Sequence, residues 1–153
     1  LDIMRSSMRF HRLAAGEKKT IGRAEISHIP LPHPQGSTAF RVEEDGRSFV
    51  LATDTEHDAA GINQELATFA KKTDALIYDA QYTPNEYDAG KKGWGHSTYA
   101  EGVKLARAAN VGQLILFSHD PKHTDDDVRA IEATTRKELP NAVGARQGQE
   151  LVL

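Results

Sequence analysis

Imidazoles and carboxylates stand at the ends of apolar runs along this chain. Asp54 follows Phe49-Val50-Leu51-Ala52, Asp79 follows Ala75-Leu76-Ile77-Tyr78, and His119 comes just after Leu114-Ile115-Leu116-Phe117. His33 sits between Pro32 and Pro34, and His96 follows Gly93-Trp94-Gly95. One donor per predicted element is how a discontinuous metal site is assembled from histidine and carboxylate. Asp54 is trailed by Thr55, Glu56, His57 and Asp58, a polar run that suits an active-site loop; a turn or helix-capping aspartate is the plainer alternative. The two prolines hold His33 in an extended loop, so its ring loses little freedom on binding a metal, although a lone loop histidine is more often structural. His96 opens a predicted helix, whose N-terminus favours a phosphate or a developing oxyanion; simple N-terminal capping is the alternative. Asp79 is placed to orient His96, and a carboxylate that fixes an imidazole in one tautomer makes it a better proton shuttle.

The elements that must position these residues can be read from periodicity. Lys19 to Leu31 favours a strand closed by Pro30 and Pro32. Ser37 to Glu44 and Arg47 to Thr53 are two β-rich runs joined by Asp45-Gly46, a hairpin signal because both turn positions tolerate positive φ. Ile62, Leu66 and Phe69 then fall on one helical stripe ending near Lys72. Ala75 to Tyr78 is a short buried strand, Tyr82 to Gly95 is loop-like, and a helix opens near Ser97 with Thr98 and Glu101 at capping-box spacing. Leu114 to Phe117 is the next buried strand. Thr124 and three aspartates start a helix that Pro140 stops beyond Leu139. Ala142 to Ala145 and Glu150 to Leu153 read as closing strands. Residues 1–13 show no clean period and are expected to be a tail or the end of another element. The resulting order is βββ-αβαβα-ββ, an α/β layered sheet in which the candidate residues gather at the strand ends, where such sheets bind ligands.

Composition narrows the chemistry. The chain has 153 residues, 39% hydrophobic and 27% charged, so it reads as one globular domain, residues 1–153, with a real core. A formal charge of -3 argues against a dedicated nucleic-acid scaffold, which normally shows a basic stripe. No apolar run approaches the roughly 20 residues needed to cross a bilayer, so no membrane partner is expected. There is no cysteine, which excludes disulfides and thiolate metal sites and fits a cytoplasmic protein. The seven histidines and the carboxylates are therefore the donor pool. The sequence begins with Leu1, so the natural N-terminus is expected to lie upstream and no targeting signal can be read.

Taken in order, Pro30-Leu31-Pro32-His33-Pro34 with Phe40-Arg41-Val42, Ala52-Thr53-Asp54-Thr55, Tyr78-Asp79-Ala80, Gly95-His96-Ser97-Thr98 and Phe117-Ser118-His119-Asp120-Pro121 resemble the later motifs of the metallo-β-lactamase superfamily. The nearest likeness is to its ribonuclease Z and phosphodiesterase-like branch, from about Phe10 to the end of the chain. The resemblance implies the C-terminal half of an αββα sandwich, with the main ligand motif, His-x-His-x-Asp-His, upstream of Leu1. It implies that His33 ligates one metal, that Asp54 bridges two, and that His119 is the last ligand of the second. Asp79 and His96 match the family's carboxylate–histidine pair that assists leaving-group protonation. The implied chemistry is attack on a phosphodiester or related ester by a metal-bridged hydroxide. Two divalent ions are implied, zinc by default for such ligands, with manganese or iron as alternatives.

Three departures follow. The main ligand motif is absent from this sequence, leaving three ligands for two metals. Relatives often carry two histidines before Asp-Pro, where this chain has Ser118-His119, so the last ligand position lies with Ser118 or His119, and His119 is the available imidazole. The arm with which ribonuclease Z proteins grip tRNA is replaced by a short hairpin, which favours a small phosphodiester or other ester and argues against nucleic acid. The alternative function is a catalytically inactive half-domain used for association or ligand sensing. A half-sandwich leaves apolar sheet uncovered, so a homodimer is expected.

Overall fold

The computed structural model describes residues 10–14, 16–58 and 61–153. The expectation for the first nine residues falls outside these. Among the described residues seven strands form one sheet: β1 (Lys19–Ile21), β2 (Ala24–Leu31), β3 (Ser37–Glu44), β4 (Arg47–Ala52), β5 (Ala75–Asp79), β6 (Gln113–Phe117) and β7 (Val143–Gly144). Their order across the sheet is their order in the chain. β1 to β4 pair antiparallel, and β4 to β7 pair parallel. Asp45-Gly46 makes the predicted β3–β4 hairpin, with φ of 50° and 79° at its two central residues, the combination that matches strand twist in a two-residue turn.

Parallel neighbours need crossovers, and helices supply them. They are α1 (Gln64–Phe69), α2 (Pro84–Asp88), α3 (Tyr99–Ala109) and α4 (Asp125–Glu138). Each crossover advances one strand in the same direction. The right-handed rule then sends every connecting helix to the same face, and α3 indeed packs between α1 and α4. The core lies between that layer and the sheet: Val50, Ala52, Leu76, Leu114 and Leu116 are fully buried against Leu66, Val103, Leu105 and Ile131. Alternation along the strands turns the neighbouring residues outward. Phe40, Leu51, Ile77, Ile115 and Val143 are in register across five strands. Together they make an apolar row on the face opposite the packed helices, with Ile115 itself buried.

Four expectations are corrected. Lys19 to Leu31 is two strands, since a turn at Gly22-Arg23 folds Ile21 back beside Ala24. The stretch predicted as loop from Tyr82 contains α2, a five-residue helix with Thr83 as N-cap, Pro84 in its first turn and Glu86 closing the capping box. Glu150 to Leu153 forms no strand. The element order is therefore ββββ-αβααβαβ in place of βββ-αβαβα-ββ.

Candidate metal centre

The carboxyl ends of the parallel strands form one rim, where such sheets bind ligands, and Asp54, Asp79 and His96 come together there. β5 ends on Asp79, whose side chain is fully buried. Its two oxygens accept from His96 Nδ1 at 2.7 Å, from the Thr55 and Gln81 amides at 3.3 Å and from the Ser97 amide at 3.2 Å. Burial pushes the Asp79 pKa up, opposed chiefly by the hydrogen bond and charge of His96. With a carboxylate as its partner, His96 carries its proton on Nδ1, leaving Nε2 for other chemistry. Asp54 lies just past β4 with its side chain 56% exposed, one oxygen 4.0 Å from His96 Nδ1. Ligand atoms of Asp54, Asp79 and His96 all lie within 4.8 Å of one another.

Ser97, next to His96, is held by two further residues. The Tyr78 hydroxyl donates to Ser97 Oγ at 3.0 Å, and Ser97 Oγ lies 2.9 Å from His57 Nδ1. Burial pushes the Tyr78 pKa far up and the His57 pKa down, which favours the uncharged form of each group on either side of Ser97. On the other side of His96, Gly95 has φ of 88° and packs flat on His33; a Cβ there would sit 2.3 Å from His33 Cδ2. The His33 ring meets His96 edge-on, with centroids 5.8 Å apart. An open cleft of about 870 Å³ adjoins the rim and is lined by His33, Glu56, His57 and Tyr87 among others. Asp54, Asp79 and His96 do not line it.

The structure thus brings together Asp54, Asp79 and His96, and sets His33 against His96. His119 is outside the three-residue group. Both of its ring nitrogens are buried without a hydrogen-bond partner, and burial, followed by the nearby His123, pushes its pKa down. Ser118 has φ of 60°. Sequence reasoning missed Ser97, Tyr78 and Glu56 as parts of the site's frame; only the polar run after Asp54 hinted at the last.

As a donor set these residues fit part of a divalent-metal site. Asp54 is exposed and close to His96, whereas His119 stands outside their group. Asp79 is already saturated by four donors, which suits a carboxylate that orients a histidine better than one that binds an ion.

A family model described as the beta-lactamase superfamily domain matches residues 2–119. The chain belongs to the metallo-β-lactamase superfamily, in its ribonuclease Z and phosphodiesterase branch. A ribonuclease Z of Halalkalibacterium halodurans is 38% identical over 128 residues, covering 83% of this chain and 39% of that protein. The chain therefore spans about two-fifths of that relative's length. Among solved structures, the metallo-β-lactamase fold protein YhfI of Bacillus subtilis superposes with a TM-score of 0.73 at 18% identity, over 90% of this chain and 53% of that one. Zn(2+)-bound PqqB of Methylobacterium extorquens gives 0.67 at 14% identity, over 92% and 55%. At these identities the structural matches speak to the fold.

Proposed function

We propose that this chain is the C-terminal part of a metal-dependent hydrolase acting on a phosphodiester or related ester. The observation that carries the reading is the buried Asp79–His96 pair with Asp54 4.0 Å from the same imidazole. In this reading Asp54 and His33 hold metal, His119 is the remaining imidazole ligand, and a His-x-His-x-Asp-His segment preceding the chain completes the set. Divalent ions held there, zinc in the first instance, would activate water and polarise the scissile group. Asp79 holds the His96 ring by Nδ1, which leaves Nε2 as the atom that would pass a proton to the departing oxygen. Ser97, held by Tyr78 and His57, keeps the backbone beside His96 from drifting.

The ribonuclease Z relative brings RNA into the substrate range, against the expectation of a small ester. The two-residue turn between β3 and β4 favours the smaller substrate. The donor shortfall supports one other reading, an inactive half-domain for association or ligand sensing. The intact protein is expected to hydrolyse bis(p-nitrophenyl) phosphate with added zinc or manganese and to retain about two equivalents of metal by elemental analysis. Asp54→Ala should lower turnover by more than the roughly 10- to 100-fold that loss of a supporting partner costs. Normal turnover in that variant removes Asp54 from the mechanism, and absence of metal in the parent favours the inactive module.

A further inference from the structure

Glu56 stands two residues beyond Asp54, and its carboxylate is shared among three donors from elsewhere in the chain. The Tyr87 hydroxyl donates to Oε1 at 2.6 Å, the Gly93 amide to the same oxygen at 2.6 Å, and the Gly95 amide to Oε2 at 2.9 Å. The Glu56 amide in turn donates to the Pro32 carbonyl at 2.9 Å. One residue thus joins the loop carrying His33, the loop carrying Asp54 and the loop leading into His96. We propose that Glu56 is a positioning residue that fixes residues 93–95, and through them sets the His96 imidazole against Asp79 and Asp54. This rests on the hydrolase reading above only for its effect on rate.

The physical need is specific. After His96, the chain is anchored by Ser97 and its two partners. Before His96, residues 93–95 have one backbone bond of their own among the described residues, from the Trp94 amide to the Lys91 carbonyl at 3.2 Å. Trp94 itself is 58% exposed and gives the loop little burial. Gly93 and Gly95 have φ of 82° and 88°, so no helix or strand ladder satisfies their amides. A carboxylate takes both at once, and charge-assisted hydrogen bonds are about twice as strong as neutral ones. Glutamine at this position keeps the shape and one acceptor oxygen but cannot receive both amides and the phenol on two anionic oxygens.

The test uses the intact protein and compares parent, Glu56→Gln, His96→Ala and the double variant. Glu56→Gln is expected to lower kcat by about 10- to 100-fold, the usual effect of losing a residue that orients a catalytic group, with KM within about twofold of the parent. Amide exchange at Gly93 and Gly95 should accelerate at least about tenfold. Because Glu56 acts through His96, adding Glu56→Gln to His96→Ala should cause no further loss. Unchanged exchange at both glycines, or losses that multiply in the double variant, would overturn the proposal. Should the parent prove inactive, the hydrolase reading fails separately. The clamp is then judged by exchange and by the downfield Nδ1 proton of His96: persistence of both in Glu56→Gln refutes it, and their loss supports it.

Discussion

Asp54 and Ser118 each follow a parallel strand and each adopt the left-handed conformation, with φ of 55° and 60°. Non-glycine residues pay about 1–2 kcal/mol there, and such residues gather where geometry serves a site. Asp54→Gly relieves the Cβ clash but adds unfolded-state entropy of about 0.5–1 kcal/mol. The variant should therefore match or slightly exceed the parent in urea denaturation while losing metal affinity. A stability loss beyond about 1 kcal/mol would show that the aspartate side chain supports the turn. The same conformation explains what could be read from sequence. Asp54, Asp79 and His96 were legible because apolar runs and glycines announce where strands end and helices start. The placement of His119 was not, because a left-handed residue at 118 breaks the two-residue alternation by which a strand assigns faces. Glu56 was hidden for another reason: its partners are mainly backbone amides, which leave no mark in residue types.

At the scale of elements, short-range chemistry was the best guide. The Asp45-Gly46 hairpin and the Thr98 cap stand where the residues put them. Thr124 accepts from the Asp127 amide while Asp127 reaches back to the Thr124 amide at 2.8 Å. Thr124→Ala should cost about 1 kcal/mol, the usual worth of such a cap, measurable by chemical denaturation; a change under about 0.3 kcal/mol would mean solvent replaces it. Two elements went unread for opposite reasons. α2 carries a full capping box in Thr83 and Glu86, but at five residues it has no apolar stripe to reveal it. The run from Lys19 to Leu31 has strand composition throughout, so its division rests on the single turn at Gly22, where φ is 63°.

At the scale of the molecule, one face of the sheet has its helices and the opposite face carries Phe40, Leu51 and Ile77 in a row. Phe40 and Phe117 remain 38% and 47% exposed. Apolar patches of this kind find partners, so this 153-residue chain expressed alone is expected to self-associate. Sedimentation velocity should show mass rising with concentration, and Phe40→Glu with Phe117→Glu should abolish it; a concentration-independent monomer in the parent would refute the expectation. The unbroken order β1 to β7 has a kinetic consequence of its own. The antiparallel strands close over short turns, whereas each parallel pair joins residues far apart in the chain, Ala75 with Gln113 for one, so loop closure costs most at the crossovers. The antiparallel hairpins can form as soon as they leave the ribosome. Each later strand then adds to an existing edge, so the rim that carries Asp54, Asp79 and His96 is assembled during synthesis, from its first strand to its last.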